Sequence, residues 1–214
     1  CRRMPLQYLT GEQEFMGLPF AVNEHVLIPR QDTEVLVEEA IQILKSEMPD
    51  ADVLDLCTGS GCIGISIHSF CPDTKVTGAD ISEEALQVAK HNALQNQVSV
   101  NFVHSDLFSG ISGKFDMIVS NPPYIPSKVI DTLMPEVRDH EPVGALDGKE
   151  DGLYFYRKIT EESVAHLNDG GYLLYEIGYD QAEAVSGFMK EHGFNDIKVI
   201  RDLAGLDRVV RGRR

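Results

Sequence analysis

The stretch from Asp55 to Gly64 constrains the fold of this chain more than any other. A short apolar run over residues 53–56 passes at once into Cys57-Thr58-Gly59-Ser60-Gly61-Cys62-Ile63-Gly64, and an apolar stretch follows to residue 70. Gly59, Gly61 and Gly64 satisfy G-x-G-x-x-G, the spacing that lets a chain turn tightly from a strand into a helix. Such a unit belongs to a parallel sheet covered by helices, and the rest of the sequence alternates accordingly. Asp32-Thr33-Glu34, read as a capping residue and an early acid, opens a helix to about residue 46. Strands are predicted at 53–56, 75–80, 98–103, 115–120, 172–177, 197–201 and 208–211. Helices are predicted at 62–70, from Ser82 to about residue 95, at 151–167 and at 180–192.

The expectation is an α/β fold with a Rossmann-like sheet of seven strands, mostly parallel, and helices on both faces. The short connection Ala204-Gly205-Leu206-Asp207 makes the final strand antiparallel to its neighbour. In the first 30 residues, apolar runs at 15–20 and 26–28 are broken by Gly11, Gly17 and Pro19, which reads as a small β-hairpin. The chain thus divides into a hairpin and linker, 1–30, and a main domain, 31–214. Residues 125–150 show no clean periodicity, and an irregular stretch of that length is expected to be a lid or binding segment.

At 214 residues and 43% apolar, the chain can bury one sizeable core without a metal or disulfide staple. Lys+Arg 19 against Asp+Glu 34 gives a net charge of −15. That balance argues against direct nucleic-acid binding, which needs Lys and Arg on phosphates, and suits a basic protein or a cationic small molecule. Cys1, Cys57, Cys62 and Cys71 form no CxxC pair and none has His at metal-ligand spacing, so no metal is expected and a cytoplasmic setting is. No stretch approaches 18 consecutive apolar residues, so no membrane partner is expected. The seven histidines read as bystanders, and Arg208, Arg211, Arg213 and Arg214 as a solvated tail. The first residue is Cys rather than Met, which reads as the remainder of a longer polypeptide.

Asp80 ends the second main-sheet strand 19 residues after Gly61, where a carboxylate accepts hydrogen bonds from ribose hydroxyls. That much fits any ribose-bearing cofactor, NAD included. Asp55 separates the candidates: a carboxylate at the strand end repels a pyrophosphate but attracts the sulfonium and ammonium of S-adenosylmethionine. Across the switch point of the sheet, the strand 115–120 runs into Asn121-Pro122-Pro123-Tyr124. Consecutive prolines hold this loop rigid. The Asn121 side chain and Pro122 carbonyl then aim two acceptors at one point, suited to an NH₂ group, and Tyr124 offers an aromatic face.

Together, Asp55 to Gly61 and Asn121 to Tyr124 resemble a class I methyltransferase acting on an amide or exocyclic amino nitrogen. With Pro29-Arg30-Gln31-Asp32-Thr33-Glu34, Glu141-Pro142, Ala145-Leu146-Asp147-Gly148 and Glu176-Ile177-Gly178, essentially the whole chain resembles the HemK/PrmC family of protein-(glutamine-N5) methyltransferases. The resemblance implies S-adenosylmethionine as cofactor and, as protein partner and substrate, a peptide chain release factor methylated on the glutamine of its Gly-Gly-Gln motif. It implies that Cys57, Thr58, Gly59, Ser60 and Gly61 form the cofactor turn and that Asp80 holds the ribose. Asp106 and Leu107 would lie near the adenine, while Asn121, Pro122, Pro123 and Tyr124 hold the glutamine. Cys57 departs from the family, where glycine is common, and Gln31 stands where proline is common. Relatives carry a small helical domain before this point, and Arg2, Arg3 and Gln7-Tyr8 resemble the linker to it. Three other enzymes stay open on the residues: a glutamine methyltransferase of a ribosomal protein, an adenine N6-methyltransferase of DNA or RNA, and an NAD-dependent oxidoreductase. So does a non-catalytic partner-binding module.

Overall fold

A computed structural model describes residues 3–214; Cys1 and Arg2 lie outside it, and with them part of the linker reading. The chain opens with a short helix α1 (Leu6–Thr10), which the sequence patterns do not announce, and a two-stranded antiparallel hairpin, β1 (Glu12–Phe15) and β2 (Leu18–Ala21). Helix α2 (Gln31–Glu47) follows. Then come β3 (Asp52–Leu56), α3 (Cys62–Phe70), β4 (Lys75–Asp80), α4 (Glu83–Gln95), β5 (Val100–His104) and β6 (Phe115–Ser120). Beyond them lie α5 (Ser127–Ile130), α6 (Pro135–Arg138), α7 (Tyr154–His166), β7 (Leu167–Glu176), α8 (Ala182–Glu191), β8 (Asn195–Arg201) and β9 (Asp207–Arg213).

The main sheet has seven strands in the order β5-β4-β3-β6-β7-β9-β8. All pairs from β5 to β7 are parallel, and β9 is antiparallel to both β7 and β8. The expected sheet and hairpin are therefore present, with β9 inserted between β7 and β8. The chain reverses direction of growth at β3, so the carboxyl ends of β3 and β6 lie side by side, where open α/β sheets form their ligand crevice.

Strand alternation sorts the core into two faces. Val53, Met117, Val119, Tyr172 and Leu174 join α2 and α3 in one apolar cluster. Leu54, Leu56, Ile118, Leu173 and Tyr175 join α7 and α8 in the other. Ser82 caps α4 as expected, accepting from the Ala85 N–H at 3.1 Å, with Glu83 and Glu84 in the first turn favouring the helix dipole. Helix α2 starts differently: Arg30 occupies the cap position without a side-chain bond, and the Thr33 hydroxyl turns inward instead.

The structure refines one sequence expectation and corrects another. Residues 125–150 are not structureless: they fold α5, α6 and a 3₁₀ turn, and are closed by backbone bonds from Ile125 N–H to Leu146 and from Gly148 N–H to Ile125. The terminal arginines are not a solvated tail. Arg208 is buried and pairs with Asp202 and Asp32 at 3.0 and 3.2 Å, while Arg211 and Arg213 lie over the Tyr172 ring. They sit on a strand paired on both edges, so their stems have sheet to cover.

Candidate active site

A cavity of about 470 Å³ opens at the carboxyl ends of β3, β4 and β6, within the size range of small-molecule sites. Its floor is the glycine-rich turn. Thr58 N–H donates to the Ala79 carbonyl, and Gly61 N–H donates to the Thr58 carbonyl, which closes the turn just before α3. Gly61 takes φ +81°, and a Cβ there would meet Ile65 Cδ1 at 2.9 Å, so only glycine fits. Cys57 holds φ +61°, the left-handed conformation that favours glycine, which gives a physical reason for glycine being common there in the family.

Asp80 sits on the cavity rim. Its Oδ2 accepts from Gly59 N–H at 2.8 Å and its Oδ1 from Ser82 N–H at 3.0 Å, so one carboxylate fixes both the turn and the start of α4. Burial raises its pKa, partly offset by those N–H donors. Leu107, buried and at φ +48°, and Asp106, exposed, complete the wall at the end of β5.

Asp55 is placed differently from the expectation that it faces the cofactor. It is fully buried behind the turn, where Oδ2 accepts from the Thr58 hydroxyl and from Gly64 N–H, and it does not line the cavity. Alternation along β3 is the cause: Leu56 faces the crevice, so Asp55 shares the opposite face with Val53. Burial pushes its pKa up to about 7 against those two hydrogen bonds, and Oδ1 has no partner among the described residues.

The tetrapeptide after β6 divides its labour. Asn121 and Pro123 line the cavity, whereas Pro122 is buried away from it. The Tyr124 hydroxyl turns to Glu176 Oε1 at 3.4 Å, and the ring packs on the α7–α8 side of the core. Backbone packing clamps the loop: a Cβ on Gly148 would stand 2.7 Å from Tyr124 Cα, and Gln181 Nε2 donates to the Tyr124 carbonyl at 3.0 Å. That accounts for the Ala145-Leu146-Asp147-Gly148 pattern: no side chain fits at its last position.

The hairpin positions the roof. Buried Asn92 on α4 exchanges hydrogen bonds with both the N–H and the carbonyl of Ala21 and also donates to the Ser60 carbonyl at 2.9 Å. It thereby ties β2 to the glycine-rich turn and carries residues 25–30 over the cavity. Arg30 there forms an ion pair with buried Glu141, which joins the Pro29-Arg30 and Glu141-Pro142 motifs; Pro142, Ala145 and Lys149 also line the wall.

Glu176 entered the sequence reading only within the Glu176-Ile177-Gly178 motif, without a site role of its own. It ends β7 fully buried, with Oε1 accepting from the Tyr124 hydroxyl at 3.4 Å and Oε2 unpartnered among the described residues. Burial raises its pKa to about 7, opposed by Thr33 and by the charge of Arg208. Several histidines have structural bonds instead: His68 to the Thr74 carbonyl, His192 to that of Phe188, and His166 stacked on Phe108. Among the described residues no group of three His, Cys, Asp or Glu could hold a metal, and no helix is long and apolar enough to cross a membrane.

Comparison with known proteins agrees with this geometry. Residues 32–136 match the methyltransferase small domain family. A release factor glutamine methyltransferase of Geobacter sulfurreducens is 46% identical over 214 residues, covering 100% of this chain and 74% of that protein. One from Fusobacterium nucleatum is 45% identical over 98% of this chain, which spans 60% of that relative's length. Among solved structures, the release factor-specific protein-(glutamine-N5) methyltransferase of Alicyclobacillus acidocaldarius superposes with a TM-score of 0.54 at 33% identity, covering 91% of this chain and 99% of that one.

Proposed function

The chain belongs to the release factor glutamine methyltransferase family, and we propose that it methylates the side-chain nitrogen (N5) of the glutamine in the Gly-Gly-Gln motif of peptide chain release factors. The observation that carries this is the convergence of Asn121 and the Gly59–Gly61 turn on one cavity. The cavity fits S-adenosylmethionine by its chemistry. It has an apolar wall with Leu107 for a base, the Asp80 carboxylate at the rim for ribose hydroxyls, and a turn that presents backbone rather than side chain. The Asp80 carboxylate adds negative potential at the rim and no cationic side chain lies in the turn, which favours a cationic ligand over a pyrophosphate and so over NAD. Bound there, S-adenosylmethionine supplies an electrophilic methyl group.

The chain's own residues do the positioning. A carboxamide nitrogen is a poor nucleophile, because its lone pair is delocalised into the carbonyl. Asn121 Oδ1 accepts from its NH₂ and aims the nitrogen into the cavity, whereas the Pro122 carbonyl, expected as a second acceptor, does not line it. That bond strengthens as positive charge develops on nitrogen, so it stabilises the transition state more than the ground state. Alignment of this kind contributes as much as roughly 7–11 kcal/mol to lowering a barrier. The proton leaves after transfer, so no general base is needed. The net charge of −15 suits a basic protein partner met in the cytoplasm and disfavours direct reading of nucleic acid.

The test is methyl transfer from labelled S-adenosylmethionine to purified release factor, to its Gly-Gly-Gln→Gly-Gly-Ala variant, to ribosomal proteins and to adenine-containing oligonucleotides. Label on the release factor alone, lost in the variant, is expected. Label on the oligonucleotide or a ribosomal protein instead overturns the reading.

A further inference from the structure

Asparagine is a weak helix former, and burying it costs free energy unless its polar atoms find partners. Asn92 nevertheless stands inside α4, fully buried. Its Oδ1 accepts from the Ala21 N–H at 2.7 Å, and its Nδ2 donates to the Ala21 carbonyl at 3.1 Å and to the Ser60 carbonyl at 2.9 Å. Carbonyls only accept and an N–H only donates, so these partners admit one orientation of the amide. The bond to Ser60 completes a clamp on one peptide unit of the glycine-rich turn. The N–H of that unit, on Gly61, donates to the Thr58 carbonyl at 2.8 Å, and its carbonyl, on Ser60, is held by Asn92. A peptide beside glycine rotates easily, because glycine takes positive φ as readily as negative, and bonds at both ends hold this one still. The bonds to Ala21 act on the other side of the cavity. Beyond Ala21 the chain packs Val22 and Val26 on Ala85 and Val88 of α4, and the Tyr8 hydroxyl donates to the Val26 carbonyl at 2.7 Å. Residues 25–27, 29 and 30 then line the cavity. One amide thus joins the floor of the cavity to its roof.

We propose that Asn92 is a positioning residue that couples the β1–β2 hairpin to the cofactor turn: bound S-adenosylmethionine stiffens a hairpin it does not touch, and a fixed hairpin tightens S-adenosylmethionine. The proposal rests on the functional reading above and deepens it. No residue from 12 to 21 lines the cavity, so a response of the hairpin to the ligand is carried by the groups that join the two. Opening the hairpin breaks the Ala21 bonds and releases Asn92 from Ser60, which frees the clamped peptide. Such coupling is reciprocal. The factor by which the tie improves affinity equals the factor by which bound ligand holds the tie shut, roughly 5–150-fold in coupled sites. Asn96, four residues on at the end of α4, supplies the contrast. Its Nδ2 donates to the Pro19 carbonyl at 2.9 Å, which anchors the hairpin to the same helix without reaching the turn.

The experiment measures amide hydrogen exchange and calorimetric affinity for S-adenosylmethionine on the full chain as wild type, Asn92→Ala and Asn96→Ala. In wild type, saturating S-adenosylmethionine should slow exchange across residues 12–21 by about fivefold or more. In Asn92→Ala that slowing should vanish and Kd should rise by about the same factor. In Asn96→Ala the hairpin should exchange faster with and without ligand, while the slowing on binding persists and Kd stays within about twofold of wild type. A residue that only braces the fold changes the baseline exchange and leaves the slowing on binding intact. Absence of slowing in wild type, slowing retained in Asn92→Ala, or equal losses of affinity in the two variants overturns the proposal. If Asn92→Ala does not fold, wild type and Asn96→Ala decide it by the same criteria. Wild type that binds no S-adenosylmethionine overturns the functional reading and this proposal with it; binding without slowing overturns this proposal alone.

Discussion

Replacing Asp55 with asparagine turns its buried carboxyl into a measurable. The folded chain holds this group at a pKa of about 7 because burial penalises the charge more than the Thr58 and Gly64 donors reward it. In the unfolded chain it ionises near the ordinary carboxylate value of 3.8. Between these values the native state binds more protons than the unfolded one, so stability falls as pH rises. No penalty applies below about pH 4, where both states are protonated, and the full penalty applies above about pH 7. At ~1.36 kcal/mol per unit, a shift of about three units amounts to about 4 kcal/mol. Asparagine keeps an acceptor for the Thr58 hydroxyl and Gly64 N–H but has no proton to release. Its own unpaired NH₂ adds a cost that does not vary with pH. Urea unfolding of both proteins at half-unit steps from pH 5 to 8 should therefore show the Asp55→Asn variant gaining on wild type by about 1.4 kcal/mol per unit up to about pH 7, then levelling. A difference that stays constant across the range would refute the argument, because it would mean Asp55 ionises in the fold as it does in water.

Other perturbations probe the remaining parts of the site. Asn121→Ala should lower turnover by about 10²–10³, the cost of losing one preorganised hydrogen-bonding group, while calorimetry finds cofactor affinity unchanged; near-wild-type turnover removes Asn121 from the mechanism. Asp80→Ala should weaken S-adenosylmethionine binding by about 1.5–3 kcal/mol, since charged hydrogen bonds to ribose are lost and the Gly59 turn loses its anchor. Unchanged affinity would leave Asp80 a structural brace only. Gly148→Ala forces a Cβ to within 2.7 Å of Tyr124 Cα, so thermal denaturation should show a loss of about 1–3 kcal/mol together with reduced kcat; a fully active, equally stable variant would show that the loop is not clamped there.

Much of this was legible because period-two and 3.6-residue patterns report burial, and burial is what fixes the sheet. The strand–turn–helix at Asp55 to Gly64 and the rigid loop at Asn121 to Tyr124 placed the crevice at the β3–β6 boundary, where it lies. Boundaries shifted where tertiary pairing overrode local pattern. Strand β7 begins at Leu167, five residues before the predicted start, because Leu167 pairs with Phe115 across a bulge. The segment 125–150 read as loop because its helices are one turn long, too short for a period to register. The arginines of β9 read as tail because charge was weighed without the acids that face them from α2, Asp32 and Glu39.

The two buried carboxyls behind the site show where single-position reading stops and alternation continues. Asp55 is two residues on from Val53, and Glu176 is two on from Leu174, and both reference residues belong to the face that packs against α2 and α3. A strand places residues i and i+2 on one side, so both carboxyls must point toward those helices and away from the α7–α8 layer. For Asp55 the neighbour on that face is Gly64, whose missing side chain leaves its N–H free to reach Oδ2 at 2.9 Å. For Glu176 the contact is the Tyr124 hydroxyl, 3.4 Å from Oε1, with buried Thr33 of α2 on the same side. Asn121 then meets Thr33 across 88 residues of sequence at the mouth of the same face. The side of the sheet on which Glu176 stands was therefore written in the strand period of β7. Reading it required knowing that α2 covers that face, which local sequence pattern does not carry.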